Sequence, residues 1–221
     1  MPRSAQQATE PKLRILTIDD HAVVRNGIKL LFENRPWAAS FGEAGNAQEA
    51  IKRMHEQDWD VAVLDITLGD RSGIEVLKEL KQVRPKVPIL VLSMHSEAQY
   101  ARRAIKAGAS GYITKDSLPD ELANAIMRVA AGGKYVSPTL AESLVSEVAG
   151  DIGTEPHERL TDREFEILLL IASGKTVSEI AQRLSRSVKT ISTYRARILD
   201  KMGMRTNAEL TYYVIQNKLL E

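Results

Sequence analysis

Five times before residue 134, a short strand candidate is followed by a stretch whose apolar residues recur at helical spacing. The runs are Leu13–Ile18, Ala39–Ala44, Val61–Leu64, Val87–Leu92 and Ala109–Ile113. Val61-Ala62-Val63-Leu64 does not alternate with polar residues, which suits a strand buried on both faces of a parallel sheet. The intervening stretches read as helices. Val23, Val24, Ile28, Leu31 and Phe32 are spaced for the first, and Asn34-Arg35-Pro36 stops it because proline pushes its predecessor out of the α region. Ala47 to about His55 is the second, and the third is capped by Ser72 and carries Ile74, Val76, Leu77, Leu80 and Val83. Glu97 to Ala107 ends at Gly108, and Leu118 to Ala131 ends at Gly132-Gly133. Strand and helix in regular alternation predict an α/β fold, a five-stranded doubly wound parallel sheet.

The pattern changes after residue 133. Lys134 to Glu158 joins one weak helical segment, Thr139 to Val148, to Gly150, Gly153 and Pro156, and reads as a linker. From Leu160 onward the periodicity is helical, predicting a second, small all-α domain. The expected organisation is therefore a sheet domain over 12–133, a linker over 134–157 and a helical domain over 158–221. The chain has no cysteine, which excludes disulfides and thiolate chemistry and fits a reducing compartment. No apolar run approaches the roughly 18 residues of a membrane span. The opening MPRSAQQATEPK lacks the apolar block of a signal peptide. A cytoplasmic protein with no membrane partner is expected.

Polar residues cluster at the predicted strand ends: Asp19 and Asp20, then Asp65, Ser93 and Lys115. In a parallel sheet these ends share one edge, where open α/β sheets place their chemistry. Any one of them alone is the ordinary solvated strand end or helix cap; the conjunction is what carries information. Three carboxylates held together repel one another, and a divalent cation relieves the repulsion. Oxygen ligands of this kind suit Mg²⁺, the expected cofactor. The Lys115 ammonium and the metal would neutralise an incoming phosphoryl group. Asp65 can act as the nucleophile, giving an acyl phosphate, with Ser93 hydrogen-bonding a phosphoryl oxygen.

In the helical third, Thr161 and Glu164 form a capping box ahead of Phe165, Leu168, Leu169 and Ala172. Thr176 caps a short helix with Ile180, Ala181 and Leu184 inward, and Ser185-Arg186-Ser187 is the turn. A longer helix, Val188 to Met202, follows with Ile191, Tyr194, Ile198, Leu199 and Met202 on one face. Asn207 or Thr206 caps the last helix. Two short helices joined by a turn, then a longer amphipathic one, is a helix-turn-helix plan. Net charge is only +1 over the chain. From Arg183 to Arg205, however, basic residues face Asp200 alone, a footprint for phosphate contacts. Lys189, Ser192, Thr193, Ala196 and Arg197 lie opposite the core, with small side chains that allow close approach to base edges.

These motifs carry a family resemblance. Leu13 to Gly133, above all SMHSEAQYARRAIKAGASGYITKDS from Ser93 to Ser117, resembles a response-regulator receiver domain. LTDREFEILLLIASGKTVSEIAQRLSRSVKTISTYRARILDKMGMRTNAEL resembles the LuxR-type helix-turn-helix, and the whole chain is similar to the NarL/FixJ family of two-component regulators. The resemblance implies phosphorylation of Asp65 by a histidine kinase, with Asp19, Asp20, Asp65 and the backbone carbonyl of Thr67 as metal ligands. Lys115 would be the phosphate-contacting lysine, and Ser93 and Tyr112 the switch pair. It implies Val188 to Met202 as recognition helix, with Ser192, Thr193 and Ala196 at the bases. Lys189, Thr190 and Arg195 would contact the DNA backbone. The last helix, around Tyr212 and Tyr213, would be a dimer surface, giving a homodimer on double-stranded promoter DNA. One departure stands out: where the family usually has proline, this chain has Gly69-Asp70 after Leu68. Glycine frees backbone that proline would fix.

The expected function is thus a response regulator and transcription factor, not an enzyme. An aspartate-nucleophile phosphatase is a rival, but its Asp-x-Asp signature is missing, since position 67 is Thr. The alternative is a DNA-binding regulator whose receiver serves only as a phosphorylation-independent dimerisation module.

Overall fold

The structure is a computed structural model that describes residues 12–69, 71–93, 97–117, 119–137, 141, 155–217 and 219–220. Position 70 and the weak helical segment expected over Thr139–Val148, residue 141 apart, fall outside the described residues.

Five strands, β1 (Leu13–Ile18), β2 (Ala38–Ala44), β3 (Val61–Asp65), β6 (Ile89–Ser93) and β7 (Gly111–Thr114), form one parallel sheet in the order β2-β1-β3-β6-β7. The helices between them are α1 (Ala22–Phe32), α2 (Ala47–Glu56), α3 (Gly73–Val83), α4 (Glu97–Lys106) and α5 (Pro119–Ala130). Side-chain alternation along each strand splits the core in two. Leu16, Ala62, Leu64, Val91 and Tyr112 pack with α2, α3 and α4. Ile15, Val61, Val63, Leu90 and Ile113 pack with α1 and α5. Each central strand is therefore apolar on consecutive residues, which is why its sequence does not alternate.

Two features differ from the sequence reading. A two-residue hairpin, β4 (Thr67–Leu68) against β5 (Arg71–Ser72), sits between β3 and α3. Gly69 directly follows β4, so that part of the Gly69-Asp70 departure falls where a hairpin needs a turn, not in an element interior. Ser72 occupies the N-cap position of α3 but makes no capping hydrogen bond with its side chain. In α1 only Ile28 and Phe32 are buried, while Val23 is 84% exposed and Leu30 and Leu31 also face outward. Helical spacing was thus read onto residues that do not reach the core.

The helical part comprises a short 3₁₀ turn (Pro156–Arg159), α6 (Asp162–Ala172), α7 (Val177–Arg183), α8 (Val188–Met202) and α9 (Asn207–Gln216). The Thr161–Glu164 capping box forms, and Thr176, expected only as a cap, makes a second box with Glu179. Ser187 caps α8 and Thr206 caps α9 through their side chains. Ser185, in the turn, adopts a left-handed φ of 49°. Helix α6 is buried on every side from Arg163 to Ile171, as a helix apolar around most of its circumference must be.

That burial has two sources. One face of α6 packs on α7, α8 and α9, and the N-terminal end meets the sheet domain. The Phe165 ring stands edge-on to Tyr100 of α4 at 5.4 Å. Arg103 of the same helix donates to the carbonyls of His157 (2.8 Å) and Leu160 (3.0 Å) and to the Asp162 carboxylate (3.2 Å). Lys78 of α3 donates to Asp162 at 2.8 Å. Residues after α5 also stay with the sheet: Tyr135 accepts from the Tyr112 amide and donates its own amide to Ser110.

Candidate functional site

Asp19, Asp20, Asp65, Ser93 and Lys115 meet at the carboxyl edge of the sheet because each follows or closes a strand of the same parallel set. Asp19 and Asp65 are almost fully buried, and Ser93 is completely so. The Lys115 ammonium donates to Asp65 Oδ2 at 2.7 Å and to Asp19 Oδ2 at 2.8 Å. The Thr67 amide donates to Asp65 Oδ1 at 3.0 Å. Asp20 Oδ2 accepts from the Gly69 amide at 3.2 Å, so the hairpin turn reaches the acidic cluster. Arg25 of α1 holds the Asp19 carbonyl at 2.7 Å, bracing the pocket floor from the helix side. The backbone of Lys115 is itself pinned, its amide donating to the Ser93 carbonyl at 2.7 Å.

Burial pushes the Asp65 carboxyl up to about 6; the Lys115 hydrogen bond works against this and the Asp19 charge adds to it. Burial acts to lower the Lys115 ammonium, but its hydrogen bonds to Asp19 and Asp65 outweigh that and raise it. Three carboxylates thus face one ammonium, an imbalance that a hard divalent cation relieves. The donor set fits such an ion: Asp19, Asp20, His21 and Asp65 can each offer a ligand atom, all within 4.8 Å of one another.

His21 is not among the residues singled out from the sequence. Its Nδ1 lies 2.7 Å from Asp20 Oδ1 and 3.2 Å from Asp19 Oδ1. Its position directly after the Asp pair was the available signal. Tyr112 is buried in the core beside β6, in the same apolar cluster as Tyr100. Tyr100 in turn touches Phe165, so packed side chains run from the carboxyl edge of the sheet to the helical part.

On α8, Lys189, Ser192, Thr193, Ala196 and Arg197 are all exposed, and Thr190 is half-buried. Ser187, Lys189, Thr190, Thr193, Tyr194 and Arg197 line a shallow groove of about 340 Å³. Val188, exposed at the first turn of α8, escaped the sequence reading; an apolar residue at a helix start that no core claims was the clue. Arg195 is placed differently from its neighbours. It is half-buried and its Nε donates to Asn207 Oδ1 at 2.6 Å, tying α8 to α9. Tyr213 also departs from expectation: its hydroxyl pairs with His157 Nδ1 at 2.8 Å and Glu155 at 3.2 Å, turned toward the 3₁₀ segment. Tyr212 and Ile215 form the exposed apolar side of α9 instead.

Residues 15–127 match the family described as response regulator receiver domain, and residues 158–214 match bacterial regulatory proteins of the luxR family. The chain belongs to the two-component response regulators that join a receiver to a LuxR-type DNA-binding domain, the NarL/FixJ family. It is 30% identical over 208 residues to the response regulator UvrY of Escherichia coli (strain K12), covering 94% of this chain and 95% of that one. The oxygen regulatory protein NreC of Staphylococcus carnosus is 31% identical over 216 residues, covering 95% of this chain and all of NreC. Among solved structures, RcsB of Salmonella enterica serovar Typhimurium, bound to promoter rprA with phosphomimetic BeF₃⁻, is 26% identical with a TM-score of 0.62. That match covers 91% of this chain and 98% of RcsB. Among the described residues no helix is long and apolar enough to cross a membrane.

Proposed function

We propose that this chain is a phosphorylation-controlled transcription factor acting in the cytoplasm. Its receiver spans 12–133, its linker 134–157 and its helix-turn-helix domain 158–221. A sensor histidine kinase donates the phosphoryl group to Asp65. An Asp65 oxygen forms the new P–O bond as the donor's P–N bond breaks, and the leaving imidazole nitrogen takes a proton. The observation that carries this reading is the single Lys115 ammonium shared by Asp65 and Asp19. It sits where one positive charge can follow the developing charge on the phosphoryl oxygens.

Mg²⁺, when bound, supplies charge neutralisation between the carboxylates and the phosphoryl oxygens. Asp19, Asp20, Asp65 and the Thr67 carbonyl would hold it, with the nearby His21 ring positioning the Asp pair. Ser93 then hydrogen-bonds the phosphoryl group and Tyr112 follows it. Because Tyr112 shares its apolar cluster with Tyr100, the shift reaches Phe165 and the docked helical domain. Release of that domain lets a homodimer form and bind two half-sites in promoter DNA through α8. The exposed apolar residues of α1 (Val23, Leu30) and α9 (Tyr212, Ile215) support self-association.

The test is incubation with Mg²⁺ and acetyl phosphate, mapping of the acid-labile label, and DNA binding measured before and after. Label on Asp65 with strengthened binding is expected. Absence of label, or binding unchanged by it and by Asp65→Asn, would leave the receiver as a dimerisation module only.

A further inference from the structure

We propose that a cavity at the amino edge of the receiver sheet binds a small apolar carboxylic acid. The cavity measures about 550 Å³ and lies at the edge opposite Asp65. Trp37 enters it from before β2, Trp59 and Asp60 from before β3, and Pro88 from before β6. Met127 and Ala130, in the last turn of α5, complete the apolar wall.

The two indoles are pinned by contacts of their own. Trp59 donates its indole N–H to the Arg53 carbonyl at 2.9 Å. Its ring fills the space beside Gly42, where a Cβ would lie 2.1 Å from it. Trp37 packs against Phe32 with ring centroids 5.4 Å apart. A pre-formed hollow of this size, mostly apolar and with few polar groups, is the usual form of a small-molecule site.

Those polar groups choose the ligand. Asp60 is already satisfied, accepting from the Arg14 amide at 2.8 Å and from its Nε and Nη2 at 3.0 and 3.1 Å. Asp58, whose charge also reaches Arg14, pairs with Arg84 at 3.3 Å. Lys86 is the other charge on the wall. It is exposed, and among the described residues no hydrogen bond or ion pair engages its ammonium. The loop that carries it is fixed, because the Lys81 ammonium donates to the carbonyls on either side, of Pro85 at 2.8 Å and Val87 at 3.0 Å. One positioned cation at the rim of an apolar hollow complements a ligand with an apolar body and a single negative charge. The hydrocarbon leaves water against Trp37, Trp59 and Pro88, while the carboxylate stays at the rim with Lys86.

The chain has two tryptophans and both line this cavity, so intrinsic fluorescence reports on it directly. The full chain is titrated with octanoate, and with 1-octanol as the uncharged counterpart. EDTA is present throughout, so no metal or phosphoryl chemistry at Asp65 enters the result. A saturable tryptophan change is expected, with one octanoate per chain by calorimetry. Lys86→Glu should raise the octanoate Kd about fivefold or more and leave the octanol Kd unchanged. Ala130→Phe, which fills the hollow, should abolish binding of both. Circular-dichroism melts confirm folding, and Ala131→Phe, at an exposed position on the same wall, replaces Ala130→Phe if that variant fails. No saturable change, octanoate binding indifferent to Lys86→Glu, or acid and alcohol weakened alike by it overturns the assignment. So does binding seen only after removal of residues 1–11, which would give the cavity to the chain's own start.

Discussion

The Arg103 guanidinium carbon stands 4.2 Å above the centre of the Phe165 ring, one residue on the receiver and the other on the first helix of the DNA-binding domain. The same group hydrogen-bonds two carbonyls and a carboxylate of the segment leading into that helix. One side chain therefore supplies a cation–π contact and three polar contacts across the boundary.

Arg103→Ala removes all of them and leaves Asp162 with Lys78 alone. The expected loss of docking free energy is about 2–4 kcal/mol. Small-angle scattering should then report a larger radius of gyration than for the unaltered chain, and proteolysis between residues 134 and 157 should quicken. Superimposable scattering curves would show that docking does not depend on this residue.

Lys115→Ala leaves Asp19 and Asp65 buried side by side without the ammonium they share. Breaking a buried pair from one side costs about 3–5 kcal/mol. The melting temperature in EDTA should fall, and Mg²⁺ should recover part of the loss because the ion takes over neutralisation. Labelling of Asp65 by acetyl phosphate should drop even in saturating Mg²⁺. A variant labelled as fast as the unaltered chain would remove Lys115 from the chemistry.

Gly73 opens α3 with its Cα against the chain leaving β3. A Cβ there would lie 2.5 Å from the Ile66 Cα and carbonyl oxygen and 2.7 Å from the Asp65 carbonyl oxygen. These are backbone atoms with no rotamer to yield, so Gly73→Ala must displace the strand end that presents Asp65. A loss of about 1–3 kcal/mol is expected, read from denaturant midpoints, together with slower labelling. An unchanged midpoint would mean that the β3–α3 junction is softer than its packing implies.

What the sequence made legible was whatever follows from period and from chain ends. Asp65 and Lys115 could be placed together because parallel strands put all their carboxyl ends on one edge. The capping box at Thr161 was readable because both partners lie within one turn; the same spacing at Thr176 and Glu179 yielded only the cap. Contacts made by distant surfaces were not. Val23 and Leu31 carry helical spacing yet stay exposed, since spacing says which residues share a face but not what covers it. Tyr213 was grouped with Tyr212 by adjacency, but neighbours on a helix point about 100° apart, and only Tyr213 finds His157. The burial of Arg163, Glu164 and Glu166 in α6 needed the packing around that helix, which no local pattern records.

His157 gives docking a pH dependence. Burial first, and then the charges of Arg103 and Arg102, hold its imidazole below the ordinary range, against the opposing pull of Glu158 and Glu155; Tyr213 is its hydrogen-bond partner. A histidine freed from the interface takes a proton as pH falls through about 6.5, whereas the docked one resists. The separated state therefore binds more protons, so docking is fully supported above that value and weakens as pH drops below it. Acidification from about pH 7.5 to about pH 5.5 should enlarge the radius of gyration, and His157→Gln should flatten the response. A response that persists in His157→Gln assigns it to other groups.

The residues of α8 should separate by role when DNA binding is measured by anisotropy across a salt series. Lys189 is an exposed ammonium at the first turn, so Lys189→Ala should weaken all sequences alike and reduce the slope of log K against log salt by about 0.9. Ser192 and Thr193 are short and exposed beside it, so substituting them should change which base pairs are preferred, by about 1–3 kcal/mol at one position. Arg195 distinguishes the family resemblance from the geometry. As a phosphate contact its loss would lower the salt slope as Lys189→Ala does. Its Nε, however, is held by Asn207 at 2.6 Å, and the side chain is half-buried between α8 and α9. Arg195→Ala should therefore lower the melting temperature, for a cost of about 1 kcal/mol, while the slope stays near that of the unaltered chain. A slope reduced by a full phosphate contact at unchanged stability would return Arg195 to the DNA.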